Sequence, residues 1–323
     1  SQQCLSALLD DLKKQNLLHK CFFLTDRNLD AGLLQTEHAQ KPELTKQWLG
    51  TWDQVKQFVT DREWTALVIA TDQQNLALDI EEALVEARFQ GQRIFDLSGF
   101  YENLWRKVPI YYLSHNWFFL SEGFQLLQSP VGLRVKRLGD VVLSTGLLLL
   151  TWPFLLIVAL AVKLESPGPA LYQQIRTGLK GRPFKIYKFR SMRTDAEKDG
   201  AKWAVKNDNR VTRVGKFIRL TRLDELPQLF NVLRGDMSFV GPRPERPEFN
   251  KILEHEIPFY NLRHLVRPGV TGWAQVLYRY GASVEDAKEK LQYDLYYIRH
   301  YSLILDMLII LRTVRVVLLG MGR

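Results

Sequence analysis

The stretch Val141–Val162, VVLSTGLLLLTWPFLLIVALAV, carries no charged side chain, and it constrains the fold more than any other part of the chain. A helix that crosses a bilayer needs about 20 predominantly apolar residues. The alternative is a helix wholly buried in a soluble core. Arg134, Lys136 and Arg137 precede the run, and Lys163, Arg176, Lys180 and Arg182 follow it. Positive charge favours the cytoplasmic side, so both ends are expected on one face. Trp152-Pro153 interrupts the middle. An interior proline removes a hydrogen-bond donor and kinks a helix. These features predict a re-entrant, hairpin-like helix, kinked at Pro153, that enters and leaves by the same face. Ser144, Thr145 and Thr151 are the nearby partners for carbonyls that the kink frees.

Upstream of this run the pattern is alternating α/β. Cys21-Phe22-Phe23-Leu24, Ala66–Ala70 and Arg93–Leu97 read as strands. Ala77 to Phe89 has apolar Ile80, Ala83, Leu84 and Ala87 at helical spacing. Strand, helix, strand implies a parallel pair. No GxGxxG is present, so dinucleotide binding has no support. Tyr101 to Pro130 is rich in aromatics (Trp105, Trp117, Phe118, Phe119) and reads either as a docking segment or as ordinary core. At the other end, Tyr296 to Leu319 is apolar but carries Arg299, His300, Asp306, Arg312 and Arg315. That suits a helix in the membrane interface or one packed on the catalytic part.

A net charge of +9 favours anionic partners. Nucleic acid is not expected: no binding motif occurs, and the basic residues cluster beside apolar segments. The two cysteines, Cys4 and Cys21, and the six histidines show no metal-type spacing, and a reducing cytosol fits. The start at Ser1, with no signal-peptide pattern, is expected of a processed chain or a fragment.

Four segments look chemical. Glu165 to Met192 holds two strand-like stretches around a Gly- and Lys-rich turn, with Lys185, Lys188 and Arg190 on the returning strand. It reads as a phosphate site or as a solvated basic hairpin. In RLDELPQLFNVLRG a helix is expected from about Thr221 to Leu233, with Leu223, Leu226, Leu229, Phe230 and Leu233 on its apolar side. Pro227 fits the first turn best, which puts Asp224 and Glu225 at the helix start, where the dipole favours negative charge. Adjacent helical side chains diverge, so one acid can attack while the other holds a cation. Acids serving only the dipole are the plain alternative. In GPRPERP, Pro242 and Pro244 stiffen a loop that lets Arg243 or Arg246 present a planar fork to phosphate. In RPGVTGWAQV the glycines permit a tight loop near a ligand or a structural turn, and Trp273 could stack or anchor it.

These motifs occur in a fixed order: PGP before a hairpin, KFRSM, LDELPQLFNVLRGDMSFVGPRP, RPGVTGWAQV and YDLYYIRHYSLILDMLIILRTV. Together, over about Val131 to Arg323, they resemble the bacterial sugar transferases, the monotopic polyprenyl-phosphate sugar-1-phosphate transferases. The resemblance implies an α/β chain in two parts: an incomplete Rossmann-like accessory domain and a mainly helical α+β membrane catalytic domain. Boundaries are expected at 1–115 for the accessory domain, 116–130 for a linker, 131–164 for the re-entrant helix and 165–323 for the catalytic domain with interfacial C-terminal helices. In large members, transmembrane helices and a first strand come earlier, so either a truncated chain or an unusual member is expected.

The resemblance also implies the reaction. A UDP-sugar, expected to be a UDP-hexose, gives its sugar-1-phosphate to undecaprenyl phosphate, and UMP leaves. Asp224 maps to the nucleophile and Glu225 to the Mg²⁺ ligand. Lys188, Arg190, Arg222, Arg243, Pro242 and Pro244 map to the surroundings of the phosphates and nucleotide. The setting would be the bacterial inner membrane, with the site on the cytoplasmic face, at the first membrane step of exopolysaccharide, capsule or O-antigen synthesis. The extra α/β domain could support a homodimer. A non-catalytic scaffold that binds polyphosphates or anionic lipid is the competing reading. A depressed pKa at Asp224, from Arg222 and the helix start, is expected to keep that carboxylate ionised.

Overall fold

A computed structural model describes residues 8, 11–15, 23–25, 48–51, 57–58, 64–69, 76–110, 113, 117–118, 122–124, 129–196, 208–278, 281 and 283–318. The chain divides into two compact units, Ser1–Trp105 with Tyr111–Ser114, and Arg106–Ile110 with His115–Arg323. Arg106–Ile110 therefore falls in the second unit and not in the α/β unit. Val108 and Ile110 are fully buried there, and Val108 N–H donates to the Gln292 carbonyl. Cys4, Cys21, Phe22, Ala70, Phe119 and Leu319 lie outside the described residues.

In the first unit, β1 (Phe23–Thr25) pairs in parallel with β2 (Trp48–Thr51). β3 (Leu67–Ile69) pairs in parallel with β4 (Ile94–Asp96), and α1 (Leu78–Phe89) connects them, as the alternating pattern predicts. Ile80 and Ala87 of α1 form a core with Leu67 and Ile94. Asp96 ends β4 and starts α2 (Leu97–Trp105), accepting from Ser98 Oγ and Gly99 N–H. Leu97 therefore opens a helix and does not end the strand.

The second unit contains α3 (Pro130–Glu165), β5 (Leu171–Thr177), β6 (Pro183–Phe189), α4 (Arg213–Leu220), α5 (Gln228–Arg234), β7 (Ser238–Val240), α6 (Pro247–Glu256), β8 (Gly269–Thr271), α7 (Trp273–Leu277), α8 (Val284–Arg299) and α9 (Leu303–Leu318). β5 and β6 form an antiparallel hairpin, and β7 pairs in parallel with β8.

Ser129 caps α3 by accepting from Gly132 N–H, and Pro130 occupies its first turn. The helix is continuous through Pro153, so the apolar run is one helix and not two arms joined at Trp152-Pro153. Of the expected local partners, Thr151 donates to the Leu147 carbonyl. The carbonyl four residues before Pro153 is that of Leu149. Ser144 is wholly buried, and its hydroxyl finds no hydrogen-bond partner among the described residues.

Both ends of α3 seat on the same unit. Near its start, Lys136 is ion-paired with Asp306 at 2.6 Å, and Asp140 accepts from Ser238 Oγ and Phe239 N–H. Near its end, Val158 and Val162 join Phe189 and Ile218 in a core. Between them Leu149, Leu150, Trp152, Phe154, Leu156 and Ile157 are exposed.

The flanking charges divide in a way that composition did not reveal. Lys136 is buried, Arg137 caps the end of α5 by donating to the Val232 and Leu233 carbonyls, and Arg176 pairs with Glu245. Arg134, Lys163, Lys180 and Arg182 are exposed.

The C-terminal segment breaks between α8 and α9. Asp306 and Ile309 of α9 are buried against the unit, as the packed alternative expects, whereas Ile304, Met307 and Leu311 face outward.

Candidate active site

The expected single helix from Thr221 is split. Arg222 adopts a left-handed backbone (φ 60°), and Leu223–Glu225 forms one 3₁₀ turn. Pro227, which has no N–H, caps the separate helix α5. The left-handed residue turns the chain before the acids, so the two carboxylates project from a tight turn. The apolar side differs too: Leu229 is buried but Phe230 is exposed.

Asp224 and Glu225 are each 8% exposed, and their environments differ. Glu225 Oε1 receives Arg243 Nη2 at 2.6 Å and Lys188 Nζ at 3.1 Å. Arg243 Nη1 lies 3.5 Å and Arg222 Nη1 3.8 Å from Oε2. Burial alone would raise the Glu225 pKa; Arg243 and Lys188 outweigh it and hold the carboxyl well below the usual range.

Asp224 has no direct ion pair or hydrogen bond among the described residues. Burial and the Glu225 charge push its pKa up to about 6, against the pull of Lys188, Arg219 and Arg222. This corrects the expected depression. The cations that would have lowered Asp224 point at its neighbour, and desolvation wins.

The elements explain the convergence. Lys188 sits two residues along β6 from buried Ile186, on the same face of the strand. The returning strand is latched by Asn231, buried on α5, which accepts from Tyr187 N–H and donates to the Lys185 carbonyl. Arg243 follows β7 in a loop whose backbone lies against β8. A Cβ on Gly241 would come within 2.3 Å of the Arg267 carbonyl oxygen, so only glycine fits there. The glycines of RPGVTG thus serve backbone packing. Trp273 is buried, donates to the Arg106 carbonyl and stacks on Tyr296.

The structure brings together Lys188, Arg222, Asp224, Glu225 and Arg243, with Pro242 and Pro244 flanking the last. It places Arg190 elsewhere. Its guanidinium donates to the Val162, Ser166 and Pro167 carbonyls and to Ser166 Oγ, which end α3. Arg190 is therefore a helix-end anchor: its buried cation meets the Val162 carbonyl in the last turn of α3 and ties down the cap residue Ser166 and Pro167 beyond it. Arg246 occupies the N-cap position of α6, and its side chain pairs with Glu248. The sequence reading missed Asn231, Arg263 and Asp294. A polar residue set inside apolar spacing, as in FNVL and YDLYY, was the available signal.

Two buried carboxylates, with cations gathered on one of them, lie on the same unit as the exposed apolar helix α3. The chain belongs to the bacterial sugar transferase family, whose profile matches residues 131–320. It is 43% identical over 259 residues to the UDP-N-acetylgalactosamine-undecaprenyl-phosphate N-acetylgalactosaminephosphotransferase of Aeromonas hydrophila, covering 80% of this chain and 60% of that protein. It is 47% identical over 194 residues to the UDP-glucose:undecaprenyl-phosphate glucose-1-phosphate transferase of Klebsiella pneumoniae, covering 58% of this chain and 42% of that one. It is 46% identical over 186 residues to the exopolysaccharide production protein PSS of Rhizobium leguminosarum bv. phaseoli, covering 56% and 93%. The chain thus spans about half the length of the first two relatives.

Proposed function

We propose that the chain transfers sugar-1-phosphate from a UDP-hexose to undecaprenyl phosphate through a covalent aspartyl-phosphosugar. The observation that carries this reading is the asymmetry of the acid pair: Lys188 and Arg243 pair with Glu225 through Oε1, and Asp224 has no direct partner among the described residues. An unpaired, desolvated carboxylate is the better nucleophile of the two. An Asp224 Oδ attacks the phosphorus that bears the sugar. The bridging P–O bond breaks, its electrons go to the departing oxygen, and UMP leaves. A phosphate oxygen of undecaprenyl phosphate then attacks the same phosphorus, and the carboxylate is expelled unchanged. Lys188 and Arg243 neutralise the charge that develops on the phosphoryl oxygens, which is the main demand of such a transfer.

Mg²⁺ fits this donor set. It takes one or two carboxylates and substrate oxygens. Glu225 Oε2 has only long contacts, at 3.5 and 3.8 Å, and Asp224 is open. Glu225, with Asp224 beside it, would hold the ion, which when bound supplies charge neutralisation to the diphosphate.

The membrane reading is monotopic, at the cytoplasmic face of the inner membrane. Both ends of α3 rest on one unit, and the exposed stretch between buried Ser144 and Val158 is shorter than the roughly 20 residues a span requires. UDP-sugars are cytosolic, so a site at that boundary meets both substrates.

The test is release of UMP from UDP-glucose and from UDP-N-acetylgalactosamine in detergent with undecaprenyl phosphate. Asp224→Asn should abolish it, and mass spectrometry should find the sugar-phosphate adduct on the wild-type peptide. Turnover retained by Asp224→Asn would exclude the covalent path.

A further inference from the structure

The loop after β7 is fastened through its carbonyls. The Val240 carbonyl accepts from Lys136 Nζ at 3.4 Å and Tyr297 OH at 3.1 Å, and Pro242 from Gly269 N–H at 2.9 Å. The Pro244 carbonyl accepts from Arg176 at 3.3 Å, and Glu245 from Thr177 N–H at 2.9 Å. In the centre, Arg263 Nη2 donates to the carbonyl of Arg243 itself at 2.9 Å.

Arg263 is held from every side. Its Nη2 also meets Asp294 Oδ2 at 2.8 Å, its Nη1 donates to Tyr260 OH at 2.6 Å, and its guanidinium lies over the Tyr260 ring. The Arg263 side chain is 7% exposed and that of Asp294 2%. A buried ion pair contributes little net stability, because desolvation offsets its attraction. What it does supply is a fixed direction for the remaining N–H. Here that N–H meets the backbone carbonyl of Arg243, whose side chain reaches Glu225 at 2.6 Å.

We propose that Arg263 is a positioning residue of the transfer: seated on Asp294 and Tyr260, it fixes the Arg243 backbone so that the Arg243 guanidinium forks onto Glu225 and the phosphates. This rests on the function proposed above. The residue touches no reacting atom. It acts through Arg243, so its loss matters only as far as Arg243 is displaced.

The test is a cycle on the full chain in detergent, reading UMP from UDP-glucose and UDP-N-acetylgalactosamine with undecaprenyl phosphate. Arg263→Met should lower kcat about 10- to 100-fold, the usual cost of a misplaced group, with KM for the nucleotide sugar within about threefold. Arg263→Lys should recover at least about fivefold of that loss. In an Arg243→Lys background, where no fork remains to be aimed, Arg263→Met should cost at least about fivefold less than in the wild type. If Arg263→Met does not fold, Tyr260→Phe, which keeps the ion pair and loses one contact, enters the same cycle with a smaller expected loss. Losses that multiply independently of residue 243 would overturn the proposal. Asp224→Asn is run alongside: if it is inactive and the cycle is additive, only the role of Arg263 falls; if it retains turnover, the covalent reading falls first.

Discussion

Arg243 Nη2 lies 2.6 Å from Glu225 Oε1, and the adjacent carboxylate of Asp224 has no such partner among the described residues. The site spends its cations on one acid and leaves the other desolvated. This arrangement has consequences for stability as well as for chemistry.

Asp224→Asn should make the metal-free protein more stable at neutral pH. The folded-state pKa, about 6, is above the ordinary 3.8. The ionised form is therefore penalised by folding, fully above about pH 6 and not at all below about pH 4. The difference corresponds to up to about 3 kcal/mol, of which the amide should recover a part. Thermal melts at pH 7.5 should show the gain, and melts near pH 4 should not. A melting temperature lowered by the substitution at both values would contradict the assigned environment.

Arg190→Ala should damage the fold and spare substrate binding. It would strip hydrogen bonds from the end of α3 and leave buried carbonyls unpaired, at a cost of about 3 kcal/mol. The melting temperature should drop, and KM for the nucleotide sugar in the surviving fraction should stay within about twofold. A large rise in KM with an unchanged melt would return Arg190 to the phosphate site.

Lys136→Met should be among the most destabilising single changes. Asp140 and Asp306 would remain buried without their cation, at about 3 to 5 kcal/mol. Adding Asp306→Asn should restore part of the loss. Chemical denaturation of the three proteins checks this, and equal stability of Lys136→Met and wild type would refute it.

The topology follows from single cysteines at Arg134 and Lys163, both exposed, in a chain from which Cys4 and Cys21 have been replaced. In sealed inverted vesicles both should react with an impermeant maleimide from the same side. Labelling from opposite sides would mean a full span.

The linear chain determined a good deal. The βαβ order of the first unit, the apolar helix, the acid pair and the basic residues that serve it are all local patterns: period, run length, or residue type in sequence proximity. Those signals survive without knowing what packs where. Lys188, Asp224, Glu225 and Arg243 were therefore legible as candidates.

Tertiary structure decided how each charge is used. Arg190 and Lys188 lie two apart in KFRSM, yet one anchors α3 and the other faces Glu225. Lys136 looked like a membrane-flanking cation and is buried between two aspartates. Asp224 looked depressed and is raised, because the balance of desolvation against charge depends on which carboxylate the arginines reach. A charge in sequence has no partner until the fold supplies one. Partner choice operates over a few ångströms of space, between residues such as Arg243 and Arg263 that the pattern along the chain does not connect.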